Sequence, residues 1–227
     1  MPVILGLLFI ITLALAPTLW VRFVIAHHGR HRPDFPGTGS EFARHILDGM
    51  DLGHVKVEET AQGDHYDTEL KVVRLVPDHF HGRSLSAVVI AAHEVGHAMQ
   101  DATGSRLLKT RTRLAKTAII IERTGGIVML VAPLVLILLR HPGVLLLQFG
   151  LGLLILGFGV VLQLSALPVE FDASFNRALP VLQSGRYIPE RDLPAARSIL
   201  RAAAFTYVAA AFMSLINIAR WLRVLRI

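Results

Sequence analysis

The 227-residue sequence contains no cysteine, which rules out disulfides and thiolate metal sites and leaves His, Asp and Glu to hold any metal. Aromatic residues are scarce at 7%, and the basic residues behind the formal net charge of +6 lack interleaved rings. Single-stranded nucleic acid is held by a basic groove with stacking aromatics, so no nucleic-acid partner is expected. Anionic lipid headgroups explain the charge better. Charge itself is missing from long stretches, with no Asp, Glu, Lys or Arg at 3–21, 125–139, 144–167 or 202–219. With 53% hydrophobic residues and a mean hydropathy of +0.53, such runs mark a membrane protein. They also argue against an ion or solute path, because only Gln148 and Gln163 are strongly polar within 144–167.

What the chain does have is Ala91 to Gln100, AAHEVGHAMQ. On a helix His93 and His97 leave the same face one turn apart, and Glu94 stands beside them. This is the HExxH arrangement, in which two histidines hold zinc and the glutamate takes the proton of the attacking water. The flanking residues Ile90, Ala91, Ala92, Val95, Ala98 and Met99 suit a buried helix. Gly96 costs about 1 kcal/mol of helix propensity against Ala, which suggests that a side chain there would crowd whatever packs on the metal face. The competing reading is a non-catalytic, zinc-binding membrane scaffold. A closed structural site would need no base beside its first histidine and would more often recruit a fourth ligand.

The rest of the chain divides around that stretch. Residues 1–26 read as an uncleaved transmembrane anchor, kinked near Pro17, since a basic leader is missing and Pro17 follows the Ala14–Ala16 site. Residues 27–124 form a catalytic domain. In it the histidines around His27 to His31 read as a solvated juxtamembrane run, and Glu41 to Asp51 as an amphipathic helix capped by Thr38 or Ser40. Residues 54–77 alternate like a small β-hairpin or ribbon, and Lys71, Val72, Val73, Arg74 and Leu75 read as a strand whose exposed edge holds a peptide substrate. The HExxH helix is expected from Ser84 or Ser86 to Thr103, ended by Gly104, and a basic helix along the headgroups follows. Residues 125–167 read as a transmembrane hairpin turning at 140–143, residues 168–201 as a third-ligand helix and polar segment, and 202–227 as a last transmembrane helix with a basic tail. The fold class expected is therefore mainly α, with about four transmembrane helices and a zinc-binding helical domain carrying the β-ribbon.

Catalytic zinc takes three protein ligands and keeps one position open. Glu170 is the preferred third ligand, following Pro168 as a helix start, with Asp172 as the alternative. Two crossings separate Glu170 from the histidines, so both fall on one side of the membrane. That side holds 19 of the 23 Lys and Arg and all the Asp and Glu, which makes the catalytic face cytoplasmic on a multi-pass protein of the cell membrane. A developing oxyanion needs a further donor, for which Tyr66, His65 and Tyr207 are candidates.

Taken together, GDHYD, KVVRL, GRSLSAVVIAAHEVGHAMQ, LPVEFDAS and AAAFTYVAAA resemble the YugP-like neutral zinc metallopeptidase family of bacterial membrane proteins. The resemblance implies a membrane-anchored peptidase of the gluzincin type acting on peptide or protein substrates. It implies one Zn2+ per chain on His93, His97 and Glu170, with Glu94 as catalytic base. A more distant likeness to heat-shock-type and prenyl-protein-processing membrane metalloproteases sets Ser174 where those enzymes place an aspartate that orients a zinc histidine. Ser174, Asp172 and Asn176 are all available for that role here.

Overall fold

The computed structural model describes residues 2–139 and 141–224, and the chain is mainly helical. In order come α1 (Pro2–His27), α2 (Gly39–Gly49), α3 (Pro77–Phe80), α4 (Leu85–Ala102), α5 (Arg106–Leu139), α6 (Pro142–Phe171), α7 (Leu179–Ser184) and α8 (Leu193–Val224). Three short strands, β1 (Lys56–Glu59), β2 (His65–Asp67) and β3 (Val72–Leu75), lie between α2 and α3. The described chain falls into two compact units. One joins Pro17–Lys109 to Leu167–Thr206, and the other gathers 2–16, Thr110–Ala166 and the chain from Tyr207 onward.

The first unit is built around α4. Thr38 caps α2 in a reciprocal capping box with Glu41, and Ser84 caps α4 by accepting from the Ala87 N–H. Every residue of α4 from Leu85 to Ala98 is buried. A helix buried on all sides must be wrapped, and α2, α3, the sheet, α7 and the segment after α6 each pack against it. Its end is set by Gly104, whose φ of +67° suits a glycine, while the Ser105 N–H returns to the Gln100 carbonyl at 2.8 Å.

The sheet departs from the expected ribbon. Its order is β1-β3-β2, with β3 parallel to β1 and antiparallel to β2. Only β2 and β3 make a hairpin. The strand expected to offer an edge to substrate is thus the central one, and both of its sides are spent on neighbouring strands. Lys71 precedes β3 in a turn at φ 55° and pairs with Asp101. The free edges belong to β1 and β2, and of these two it is β2 that packs on α4.

Pro168 does not start a helix. α6 runs through it to Phe171 and passes without a break into a π-helical segment, Asp172–Ala178. The missing proline N–H costs about 3 kcal/mol inside a helix, but the hydrogen-bonded ladder on both sides carries the chain through. This π segment packs on α4 at Gly96, where an added Cβ would stand 2.7 Å from the Ala173 carbonyl oxygen.

The second unit holds the apolar helical ends. Four crossing helices are not supported. Among the described residues, one helix, Leu146–Ser184, is long and apolar enough to cross a membrane, and Leu15–His27 is a shorter apolar helix. The run at 125–139 has too few residues for the roughly 20 that a crossing takes and continues a helix whose first half is basic. The runs at the two chain ends include side chains outside the described residues, as are Arg140 and the tail from residue 225.

Gly96→Ala should destabilise the protein by about 1–3 kcal/mol, the usual cost of overpacking, seen as a lower thermal midpoint, because the neighbour at 2.7 Å is backbone and cannot swing away.

Candidate metal centre

α4 presents His93 and His97 on one face, and the end of α6 brings Glu170 to them from 73 residues away. One carboxylate oxygen, Glu170 Oε2, lies 3.2 Å from His93 Nε2 and 3.1 Å from His97 Nε2. The three donor atoms lie within 4.8 Å of one another and form a group that could hold a metal ion. All of it is out of water: His93, Glu94, His97 and Glu170 are 4, 5, 7 and 1% exposed.

The surrounding hydrogen bonds decide which imidazole nitrogen carries the proton. Ser174 Oγ donates to the Leu200 carbonyl at 3.3 Å, so it accepts from His93 Nδ1 at 3.0 Å. Gln100 donates its amide to the Val169 carbonyl and to Asp172 Oδ2, both at 2.8 Å, leaving its oxygen to accept from His97 Nδ1 at 2.9 Å. Both protons therefore sit on Nδ1, and both Nε2 lone pairs face the Glu170 carboxylate. Lone pairs facing a carboxylate repel unless a proton or a cation lies among them. The other Glu170 oxygen, Oε1, is buried with no hydrogen-bond partner. The residues fit a divalent cation: two imidazole nitrogens and a carboxylate are the donor set of a three-ligand zinc site. Ligand atoms around tetrahedral zinc stand about 3.3 Å apart, near the two separations above.

Glu94 lies beside this group. Burial lifts its pKa above the ordinary carboxylate value; the charges of His93 and His97 oppose the rise, and those of Glu170 and Asp64 add to it. For His97, burial alone would lower the pKa, but the Glu170 carboxylate outweighs it and the net direction is upward.

Asp172 is not with the metal donors; it receives Gln100, Asn176 at 3.0 Å and Arg177 at 3.0 Å. The Tyr66 hydroxyl donates to Asp101 at 2.8 Å, which commits it away from an oxyanion. His65 Nδ1 faces the Gly63 carbonyl at 2.8 Å. Tyr207 belongs to the second compact unit, where Arg111 donates to its hydroxyl and lies over its ring, 5.2 Å from the centroid. Val72, Val73 and Leu75 are core residues, and Arg74 pairs with Asp67 at 2.8 Å. Sequence reasoning missed Gln100, although its place three residues after His97 puts it on the same helix face. It also missed His79, which is buried and bonds to Asp64 at 2.8 Å; no spacing pattern marks that pair.

Comparison with known proteins bears on the same residues. The family described as "Putative neutral zinc metallopeptidase" matches residues 3–226. The chain belongs to this family. It is also 35% identical over 223 residues, 96% of this chain and 95% of the relative, to a protein of Bacillus subtilis (strain 168) named "Putative membrane protease YugP". No solved structure matches the chain. Family membership agrees with the donor set: zinc is the cofactor that the family's description implies, and the buried His93, His97 and Glu170 group could bind it.

Two outcomes are expected here. Ser174→Ala and Gln100→Ala should each weaken zinc binding about 10- to 100-fold by freeing an imidazole to turn, measured by competition with a chelator. In the metal-free protein, His97 has a raised folded-state pKa. Its stabilising contribution is present below the unfolded value of about 6.5 and is lost as pH rises through the folded value. The thermal midpoint of chelator-treated protein should therefore fall from pH 6 to pH 9, by roughly 2–4 °C per kcal/mol lost, and added zinc should cancel the fall.

Proposed function

We propose that this protein is a membrane-bound zinc metallopeptidase that hydrolyses peptide bonds, with His93, His97 and Glu170 as metal ligands and Glu94 as general base. The observation that carries the reading is the open donor set: three buried donors converge, and beside them sits a buried carboxylate of raised pKa. A closed structural site would place a fourth donor there. Zinc bound at these residues would act as a Lewis acid toward a peptide carbonyl and would raise the acidity of water.

The chain's own residues do the rest. Glu94 accepts the proton of the attacking water and returns it to the leaving amine; burial raises its pKa above the ordinary carboxylate value, which strengthens it as a proton acceptor. Ser174 and Gln100 keep His93 and His97 in one tautomer and one orientation. The substrate backbone is held by the free edge of β2, the edge strand that packs on α4. Main-chain pairing of that kind grips an extended peptide with little regard to its sequence.

Membrane attachment rests on the second unit and on α1. Leu130, Leu138, Leu146, Leu147 and Leu154 are each 72% or more exposed, and only 6% of the most apolar window of Leu146–Ser184 is buried. A water-soluble domain does not display such a surface, whereas a bilayer solvates it. By the positive-inside rule the basic catalytic domain then faces the cytoplasm.

The test compares detergent-purified wild type, Glu94→Gln and Glu170→Ala for zinc content and for cleavage of casein or a quenched peptide. Glu94→Gln should keep zinc and lose at least about 10²- to 10⁴-fold in rate; Glu170→Ala should lose zinc. Full activity in Glu94→Gln would sink the assignment of the base. Equal zinc in Glu170→Ala and wild type would sink the ligand set.

A further inference from the structure

Where α1 leaves its apolar stretch, the first unit carries an open groove of about 890 Å³. Three arginines, Arg22, Arg30 and Arg83, and three histidines, His31, His79 and His81, line it, against one acid, Asp78. Two of the histidines are already committed, His79 to Asp64 and His81 to Glu59 at 2.9 Å. The arginines are not. Among the described residues none of their side chains makes a hydrogen bond or salt bridge, and Arg83 feels Glu41 only at a distance. Three exposed arginines along one groove with a single acid leave its positive charge in excess, and an anion with several acceptor oxygens matches that excess.

The approach to the groove says what carries the anion. Leu19, Trp20 and Phe23 on α1 are 60, 38 and 67% exposed. Leu19 and Phe23 are four residues apart, hence on one face, and Ala26, next along that face, lines the groove. An apolar stripe thus runs down α1 into a basic groove, with Trp20 beside it, a ring of the kind that membrane interfaces favour. We propose that the groove binds the phosphate of an anionic phospholipid, its headgroup among Arg22, Arg30 and Arg83 and its acyl chains along Leu19 and Phe23. The opposite wall is formed by Val76–Asp78 and by Gly82 to Ser84, and Ser84 caps α4. A bound headgroup therefore fixes the start of the helix that carries His93 and Glu94 at the bilayer surface. The proposal rests on the membrane attachment argued above, but not on catalysis.

The experiment is native mass spectrometry of the delipidated full-length protein in detergent, titrated with phosphatidylglycerol, phosphatidylcholine or inorganic phosphate. Wild type should hold phosphatidylglycerol in preference to phosphatidylcholine. Arg22→Gln, Arg30→Gln and Arg83→Gln together should lose that preference, at roughly fivefold per arginine. The same three positions changed to Lys should restore most of it, and Arg186→Gln with Arg197→Gln should leave it intact. Retention by the triple Gln variant equal to wild type, or an equal loss in the Arg186 and Arg197 control, would overturn the site. Inorganic phosphate binding as well as the lipid would overturn the lipid as its source. Carbonate washing of membranes reports attachment separately: a chain that washes off defeats the membrane reading, whereas one that stays while the triple variant keeps its lipid defeats only this proposal.

Discussion

A carboxylate that is 1% exposed, with one oxygen shared between two imidazole nitrogens and the other without a partner, is costly unless positive charge stands beside it. The first unit is arranged around that constraint. α4 is buried on all sides, its two histidines sit out of water, and the carboxylate comes from another element, the end of α6. The π segment makes the approach close enough. Its backbone rests on Gly96, where any larger residue would hold the two elements apart and move Glu170 off the histidines. Glycine at 96 is thus a packing requirement imposed by the site, set against its local cost to the helix.

The same constraint explains why the polar residues near the site are so fully spent. His93 leads to Ser174 and on to the Leu200 carbonyl, while His97 leads to Gln100, Val169 and Asp172. Each chain ends on backbone or on an acid already held by Asn176 and Arg177. Low dielectric strengthens these bonds and makes any broken one expensive. The two imidazoles are therefore stiff, and the one unsatisfied group left in the centre is the second oxygen of the carboxylate.

Part of this was legible in the sequence because it is periodic or punctuated. HExxH sets two histidines and a carboxylate on one helix by spacing alone, Ser84 or Ser86 and Gly104 bracket that helix, and Thr38 or Ser40 announces α2. Glu170 could be reached because a span ending in polar sequence leaves few carboxylates to choose from. What was not legible depends on pairing across sequence. Whether Val72–Leu75 is an edge or a centre is decided by where β1 returns, and nothing in 54–77 encodes a parallel partner. The continuation through Pro168 into a π turn is likewise a tertiary outcome, since a proline in a long helix reads locally as a start or a break. Asp64 with His79 and Tyr66 with Asp101 are single contacts between elements, and a single contact leaves no periodic trace.

Glu170 and the HExxH helix are supplied by chain segments on either side of the α5 and α6 stretches of the second unit. Neither segment carries a complete donor set, so the metal centre exists only when the end of α6 and the π segment pack on α4. The site's integrity is therefore a constraint on topology as much as on residues. A cation bound at His93, His97 and Glu170 would tie together segments 73 residues apart, and so stabilise the packing of the π segment and the end of α6 on α4.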